Sequence, residues 1–164
     1  MTRVYVGIGG NIDRDRYIRK GRQLLTNSFG KLTLSSVYES PAYGFKGDNF
    51  YNLVAGFDTH LDLTTLASRL RDIEYVCGRR RPEEKFVPRT LDIDLLLYGD
   101  HVRHDNEFDL PRVDIMHYAF VLCPLAEIAA TKRHPELGRT YAELWRDFPE
   151  DKRQLWPVHF PFAG

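Results

Sequence analysis

Two aspartates separated by one residue stand in the middle of the chain, in the segment Pro88-Arg89-Thr90-Leu91-Asp92-Ile93-Asp94. If this segment is a β-strand, Asp92 and Asp94 share one face, with Cα atoms about 6.5 Å apart. Carboxylates at this spacing suit a divalent cation, and they are too close together to sit unpaired in a core. The same alternation predicts an apolar opposite face made of Leu91, Ile93, Leu95 and Leu97, with Leu96 and Tyr98 on the aspartate face.

Basic residues are concentrated just before the two aspartates. They are Arg79, Arg80, Arg81, Lys85 and Arg89. These cations could neutralise the aspartates through surface salt bridges, or they could bind an external polyanion that reaches the carboxylates through a metal. The second arrangement is the one that phosphoryl transfer requires, because Mg²⁺ and basic side chains together neutralise and position phosphates. The sequence has no Gly-x-x-x-x-Gly-Lys-Ser/Thr loop, so a P-loop enzyme is not predicted.

The composition limits the class of protein. With 164 residues the chain is long enough for a single core, and we expect one domain over residues 1–164. Its 23 basic and 23 acidic residues balance, so the overall charge does not indicate nucleic-acid binding. Cys77 and Cys123 match no metal or redox spacing and predict buried free thiols in a reducing compartment. We expect a cytoplasmic protein, since no signal-peptide core or membrane-spanning apolar run is present in the sequence.

The hydrophobic pattern predicts alternating strands and helices in the first half of the chain. We expect a strand over 4–8, a helix capped by Asp13 or Asp15 and ended by Gly30, a strand over 31–39, a loop over 40–49, a strand over 50–59, and a helix from its cap Asp62 to Gly78. The loop over 40–49 is either a binding wall or an ordinary hairpin loop.

Residues 79–88 predict a second loop, which leads into the diacidic strand. Beyond it we expect a short edge strand over 101–104, an irregular stretch over 105–116, an apolar return to the core over 119–125, a helix opened by the Thr140–Glu143 capping box, and a surface tail over 154–164. The order of elements predicts an α+β, ferredoxin-like βαββαβ core, with an antiparallel sheet, helices on one face and long active-site loops over the other. The two aspartates would lie on that open face.

The segment from Pro88 to Leu96 resembles the signature of the 6-hydroxymethyl-7,8-dihydropterin pyrophosphokinase family, whose members transfer pyrophosphate from ATP to a pterin alcohol in folate biosynthesis. The resemblance also covers Ile8-Gly9-Gly10-Asn11, Ser40-Pro41, Phe50-Tyr51-Asn52, Glu74 to Gly78, and Phe120-Val121-Leu122 with Pro124-Leu125. It implies a pterin substrate, ATP as co-substrate, and two Mg²⁺ ions held by Asp92 and Asp94. We expect a monomer that binds neither nucleic acid nor membrane.

The resemblance also implies roles for single residues. On the pterin side it implies a hydrogen bond from Asn52, ring contacts from Phe50 and Phe120, and contacts from Ser40, Pro41 and Tyr43. On the ATP side it implies contacts from Arg71, Glu74, Phe86, Ile93 and Arg112, with Arg79, Arg81 and Arg89 meeting the phosphates as catalytic cations beside Asp92 and Asp94. From the residues alone, the phenylalanines could be core residues, Asn52 a bulge cap, and the arginines a solvated run.

The chain departs from the family pattern on the ATP side. Where the family has a Pro-His motif that touches ATP, followed by a phosphate-binding Arg, this sequence has Pro111-Arg112-Val113 and then Tyr118. Further departures are Arg71 in place of a frequent Gln, Val87 in place of a frequent Gly, and the acidic residues Glu107 and Asp109.

Three interpretations of these departures are open. In the first, Arg112, Arg71 and His117 supply the lost donors and the pyrophosphokinase activity is kept, because a guanidinium can bind phosphate through two hydrogen bonds. In the second, the chain is a diverged paralogue that binds a pterin with weak or altered nucleotide use. A nucleic-acid-binding or protein-binding ferredoxin-like module is the third interpretation, and the two acids on the sheet face disfavour it.

Overall fold

The structure is a computed structural model that describes residues 1–42, 47–78 and 90–162. Predictions that fall outside these ranges are the roles of Tyr43, Arg79, Arg81, Phe86 and Arg89 and the loop over 79–88.

Strands and helices alternate along the first part of the chain. They are β1 (Thr2–Gly10), α1 (Arg14–Phe29), β2 (Thr33–Leu34), β3 (Val37–Ser40), β4 (Phe50–Thr59), α2 (Leu63–Val76) and β5 (Asp92–Tyr98). The second part adds β6 (Arg103–His104), β7 (Asp109–Leu110), α3 (Asp114–His117), α4 (Ala119–Ile128), α5 (Tyr141–Arg146) and β8 (Trp156–Val158). The predicted βαββαβ order is present, with β2 and β3 together taking the place of the second strand.

The main sheet is antiparallel and has the order β5-β1-β4-β3-β8, with β2 also paired to β4. This arrangement confirms the predicted α+β fold with an antiparallel sheet. Strand β1 lies between β4 and β5, so it adjoins both the strand that carries Asn52 and the strand that carries the two aspartates.

The helix signals in the sequence correspond to real helix ends. Asp62 caps α2, because its carboxylate accepts the N–H of Thr65 at 2.8 Å. The predicted capping box is present at the start of α5, between Thr140 and Glu143. Asp13 occupies the N-cap position of α1 with a left-handed φ of 47°, and its backbone carbonyl, rather than its side chain, accepts the N–H of Tyr17 at 3.1 Å.

One face of the sheet packs against α1 and α2. The strand residues on this face are bulky and apolar, and the helices bury apolar residues at helical spacing against them. Members of this first core include Val4, Val6, Ile8, Ile18, Leu25, Leu53, Phe57, Leu66, Leu70 and Ile93. This face fits the prediction that α1 and α2 cover one side of the sheet.

The opposite face is not open, which corrects the prediction that helices cover one face alone. Tyr5, Val54 and Leu96 on this face pack in a second core against α4 and α5. The physical reason lies in the sequence of α4, which is apolar on nearly every side and can therefore be buried between the sheet and α5. Residues 119–125 do return to the core, as predicted, and they do so as a helix.

A β-bulge changes the predicted side-chain pattern of β5. Val6 pairs with Leu95 while Tyr5 pairs with Leu97, so one extra residue is inserted in β5. Leu97 therefore packs in the second core with Leu96, and Tyr98 packs in the first core. The predicted faces of Leu97 and Tyr98 were wrong, whereas those of the residues before the bulge were correct.

Three further predictions need correction. The predicted strand over 31–39 is divided into β2 and β3 at Ser35. The hydroxyl of Ser35 accepts the N–H of Val54, so a side chain takes the place of a backbone acceptor here. The stretch over 105–116 contains β7, which pairs with β6 in a separate two-stranded ribbon, and the start of α3. The tail over 154–164 contributes β8 to the main sheet. The contacts of Ser35 with Val54 and of β8 with β3 join residues far apart in the chain, so local sequence pattern does not report them.

Candidate active site

One row of residues crosses three strands on the second face of the sheet. Gly9 of β1 pairs with Asn52 of β4 on one side and with Asp92 of β5 on the other. Paired residues in neighbouring antiparallel strands point to the same face, so Asn52 and Asp92 stand on either side of Gly9, with Cα atoms about 10 Å apart. The sheet therefore presents an amide and a carboxylate across a strip of bare backbone.

The side chain of Asn52 occupies the space that a Cβ on Gly9 would need. A Cβ on Gly9 would collide with Oδ1 of Asn52 and lie 3.3 Å from its Cγ. The neighbouring Gly7 differs, because the atoms nearest to a Cβ there would be side-chain carbons of Leu96 at 3.6 Å or more. The amide of Asn52 thus lies over Gly9 and is held close to the sheet surface.

The β3–β4 hairpin brings two more predicted residues to the same face. Phe50 lies two residues before Asn52 on β4, so both side chains point to one side of the strand. Phe50 is half-buried and pairs with Ser40, which is buried at the end of β3. Pro41 follows and is exposed. The predicted residues Phe50, Asn52 and Ser40 are therefore close neighbours.

Phe120 lies in the first turn of α4, on the same side of the sheet. It is half-buried and packs against the second core, which contains Val54 of β4. Its ring stacks on that of Tyr118, with centroids 5.1 Å apart and planes inclined by 19°. The role of Tyr118 as a ring partner was missed from the sequence, where it was considered only as the replacement of a basic residue.

Asp92 and Asp94 point to this face as predicted, and their negative charges repel each other. The side chain of Asp94 is only 33% exposed. Burial, and next the negative charge of Asp92, raise the pKa of Asp94 well above its usual range, while the guanidinium of Arg112 opposes the shift. A cation beside the pair would relieve this repulsion.

Matches to known proteins identify the family. Residues 5–130 match the model of the family described as 7,8-dihydro-6-hydroxymethylpterin-pyrophosphokinase (HPPK). The chain belongs to this family. It is 36% identical over 137 residues to the 2-amino-4-hydroxy-6-hydroxymethyldihydropteridine pyrophosphokinase of Aquifex aeolicus, with 82% of this chain and 85% of that protein covered. It is 37% identical over 156 residues to the pyrophosphokinase of the same name from Pseudomonas aeruginosa, with 88% and 90% covered.

Solved structures share the fold at low sequence identity. A crystal structure of a triple mutant of Plasmodium falciparum HPPK-DHPS with pteroate aligns with a TM-score of 0.70 and 13% identity, over 90% of this chain and 43% of that chain. The wild type of that protein with STZ-DHP aligns with a TM-score of 0.67 and 15% identity, over 90% and 42%. The chain spans less than half the length of these solved chains. At this identity the likeness shows the fold alone.

Arg112 lies beside the aspartates, in the turn that follows β7. Its Nη2 is 3.6 Å from Oδ1 of Asp94, and its Nε donates to Oδ2 of Asp114 at 3.0 Å. Its backbone N–H donates to the carbonyl of Leu96 at 3.0 Å, which fixes the chain next to β5. The guanidinium of Arg112 is therefore held between Asp94 and Asp114, close to the acidic pair.

Two further residues near the predicted ATP side make structural contacts. The buried carboxylate of Glu74 accepts the N–H of Ile93 at 2.8 Å and so joins α2 to β5. Asp109 accepts the N–H of Val113 at 3.0 Å, next to Arg112, so it orders the turn that carries this arginine. Arg71 is exposed on α2. The nucleotide contacts of Glu74, Ile93 and Arg71 stay predictions.

The described residues contain neither a metal cluster nor a membrane-spanning helix. Within residues 1–42, 47–78 and 90–162, no group of three or more His, Cys, Asp or Glu side chains is arranged to hold a metal. None of the helices in these ranges is both long enough and apolar enough to cross a membrane. Cys77 and Cys123 are free thiols, the first buried and the second half-buried.

Proposed function

We propose that this chain transfers the pyrophosphoryl group of ATP to 6-hydroxymethyl-7,8-dihydropterin, giving the pterin diphosphate and AMP in folate biosynthesis. The family match over residues 5–130 supports this activity. The observation in the structure that carries the proposal is the row Asn52, Gly9 and Asp92, which sets a hydrogen-bonding amide and a carboxylate on one sheet face. A flat heterocycle held at one end of this row would direct its hydroxymethyl group toward the other end.

The pterin is proposed to bind at the Asn52 end of the row. Asn52 offers both a donor and an acceptor, which a pterin ring edge can match. Phe50 and Phe120 supply aromatic surface, since both are half-buried near this end and retain exposed ring area. Ser40, Pro41 and Tyr43 complete the proposed pterin-binding set.

Asp92 and Asp94 are proposed to hold two Mg²⁺ ions. The donor set fits this metal, because Mg²⁺ is usually bound by one or two carboxylates together with substrate phosphates and water. Burial and next the charge of Asp92 raise the pKa of Asp94, and a bound cation would favour its charged form. When bound, Mg²⁺ neutralises phosphate oxygens and favours in-line displacement.

The protein contributes positioning to the reaction. The hydroxymethyl oxygen of the pterin attacks the β-phosphorus of ATP and gives up its proton to water, while the bond from that phosphorus to the bridging oxygen of the α-phosphate breaks, so AMP leaves. The side chains of the row hold the attacking group in place, which removes much of the entropic cost of bringing two substrates together. Carboxylates committed to cations are poor bases, so Asp92 and Asp94 are proposed as binding groups rather than proton acceptors.

The ATP side is proposed to use arginines where other family members use histidine and arginine. Arg112 is proposed to contact a phosphate, and the 3.6 Å separation between its Nη2 and Oδ1 of Asp94 supports this role. A guanidinium can donate two parallel hydrogen bonds to phosphate, which makes it an adequate replacement. The other proposed contacts are Arg71, Glu74 and Ile93, with Arg79, Arg81, Phe86 and Arg89.

A product assay tests the proposal. The protein is incubated with MgATP and 6-hydroxymethyl-7,8-dihydropterin, and products are separated by chromatography and checked by ³¹P NMR. We expect AMP and pterin diphosphate in equal amounts. Release of ADP, or no consumption of ATP, contradicts pyrophosphoryl transfer. If calorimetry shows tight pterin binding without any nucleotide binding, the result would instead support the diverged paralogue. The departures from the family pattern at Arg112 and Tyr118 are the reason for this alternative.

Several properties stay predictions of the sequence. They are a single domain over residues 1–164, a monomeric state, a cytoplasmic location, and no binding of nucleic acid. Salt-sensitive RNA binding without any response to pterin or ATP would support the alternative of a nucleic-acid-binding module.

A further inference from the structure

Arg14, the first residue of α1, joins three parts of the β3–β4 hairpin. Its Nη1 donates to Oε2 of Glu39 on β3 at 2.7 Å and to the carbonyl of Asn49 at 2.9 Å. Its guanidinium carbon also lies 3.8 Å from the ring centroid of Tyr51 on β4. The side chains of Arg14 and Glu39 are 29% and 18% exposed, so this ion pair is better shielded from water than a surface pair.

Trp156 of β8 completes the contacts of Glu39. The two residues pair across β3 and β8, and the indole N–H donates to Oε1 of Glu39 at 3.1 Å. Burial disfavours the charged carboxylate, but the hydrogen bonds from Arg14 and Trp156 outweigh it and hold the pKa of Glu39 below its usual range. Both carboxylate oxygens are therefore engaged by donors from different elements.

The residues just before β4 are held at two successive carbonyls. Asn11, buried at the end of β1, donates from Nδ2 to the carbonyl of Asp48 at 3.0 Å. Arg14 holds the next carbonyl, that of Asn49. The backbone entering Phe50 is thus fixed by side chains from the junction of β1 and α1.

These contacts lie behind the proposed pterin site. Glu39 pairs with Tyr51, whereas the neighbouring pairs are Ser40 with Phe50 and Tyr38 with Asn52. Because side chains alternate along a strand, Glu39 and Tyr51 point to the α1 face while Phe50 and Asn52 point to the opposite face. Tyr51 indeed packs against the first core. The contacts of Arg14 therefore hold β3 and β4 together on the sheet face opposite the proposed pterin site.

We infer that Arg14, Glu39 and Trp156 form a positioning cluster that sets Phe50 and Asn52 for the pterin. The inference rests on the proposed function, since it assigns Phe50 and Asn52 to the pterin. The cluster does not touch the substrate. It acts by fixing the backbone at Asn49 and the pairing of Glu39 with Tyr51, because a shift of this backbone would move both pterin-facing side chains together.

Arg14→Met tests the inference, with Arg16→Met as the matched control. Arg16 lies on the same helix, but its side chain is 67% exposed and its ion pair with Asp13 at 3.5 Å faces solvent. Calorimetry measures the pterin Kd in the presence of a saturating non-hydrolysable MgATP analogue, and the Kd of the analogue alone. We expect Arg14→Met to raise the pterin Kd about tenfold, which corresponds to the loss of one charged hydrogen-bonded contact, and to leave the nucleotide Kd within about twofold.

Trp156→Phe is the second variant, because it removes the indole donor to Glu39 and keeps an aromatic, though smaller, side chain. We expect it to raise the pterin Kd by about threefold, in line with one exposed hydrogen bond. Amide hydrogen exchange gives a second readout. In Arg14→Met it should speed up at residues 48–52 more than in β1, whereas a general loss of stability would speed up exchange throughout the sheet.

The possible outcomes separate the two proposals. If the wild-type protein binds no pterin, both the proposed function and the positioning cluster are contradicted. If the wild type binds pterin and Arg14→Met binds it as tightly as Arg16→Met does, only the positioning cluster is contradicted. A parallel loss of pterin and nucleotide affinity in Arg14→Met also overturns it, because the cluster is inferred to act on the pterin side alone.

Discussion

The two faces of the central sheet use the same strands for different purposes. On β1, the residues facing α1 and α2 are Val4, Val6 and Ile8, all bulky and fully buried or nearly so. The residues facing the other way are Tyr5, Gly7 and Gly9, and here the side chains become small toward the end of the strand. The bulky residues of the first face pack a closed core. On the second face, β1 has glycines next to Asn52 and Asp92, which leaves space for these two side chains.

This difference teaches where substitutions should affect stability and where they should affect activity. A change on the first face alters packing in a closed core and should act on the free energy of unfolding. A change at the glycine end of the second face alters the site while removing few buried apolar contacts. Variants on both faces can therefore confirm or break the comparison.

The largest effect is expected for Asp94→Asn. The change removes one of two crowded carboxylates, so turnover should fall by about 10³-fold or more through lost stabilisation of phosphate charge. Thermal stability should be kept or raised, because the repulsion with Asp92 is relieved. Steady-state kinetics and thermal unfolding measure the two results. Asp58→Asn, at an aspartate that is 51% exposed on β4, is the control. A near-normal rate for Asp94→Asn would refute the role of the acidic pair.

Gly9→Ala should have the next largest effect. The new Cβ collides with Oδ1 of Asn52, so the amide must move away from the pterin. We expect the pterin Kd to rise by about 10-fold to 100-fold, the usual range for losing a buried hydrogen-bonding group at a site. Gly7→Ala is the matched control, since its Cβ meets Leu96 at an ordinary contact distance. Calorimetry that finds equal pterin affinity in the two variants would contradict the arrangement of Asn52 over Gly9.

Arg112→Met should weaken nucleotide binding rather than pterin binding. Loss of one guanidinium from a phosphate site should raise the Kd of the MgATP analogue by about tenfold. Arg112→Lys should recover part of this affinity, because it restores the charge without the planar fork. Titrations of each ligand alone measure both effects. Unchanged nucleotide affinity in Arg112→Met would indicate that this arginine serves only its ion pairs with Asp94 and Asp114.

Leu66→Ala should have the smallest effect on activity. Leu66 is fully buried in the first core, so its truncation should cost about 2–5 kcal/mol of unfolding free energy. The kcat and both ligand Kd values should stay unchanged at temperatures where the variant is folded. Chemical denaturation and kinetics at low temperature check this. A large drop in kcat of the folded variant would mean that the two faces are not separable.

Much of the fold follows from local sequence signals. The strand predicted over 50–59 matches β4, and the cap at Asp62 and the capping box at Thr140 mark real helix starts. The covering of the second face by α4, the bulge in β5 and the pairing of β8 could not be predicted in this way. Each depends on contacts between residues far apart in the chain, which hydrophobic period does not encode.

The residues of the candidate site also differ in how far the sequence predicts them. Asp92 and Asp94 were singled out from their spacing, which places them on one face of a strand, together with the basic residues just before them. Asn52, Phe50 and Phe120 were identified only through the family resemblance, since an amide and two phenylalanines are common in cores. The need for Gly9 to lack a side chain depends on the register of β1 with β4, which the sequence does not specify.

Metal counting tests most directly whether the acidic pair is the centre of the site. Mn²⁺ replaces Mg²⁺, and electron paramagnetic resonance counts the bound ions in the complex with pterin and a non-hydrolysable ATP analogue. We predict two ions per chain in the wild type. In the double variant Asp92→Asn, Asp94→Asn, we predict at most the one ion that the nucleotide itself carries. Two bound ions in the double variant would contradict the assignment of Asp92 and Asp94 as the metal ligands.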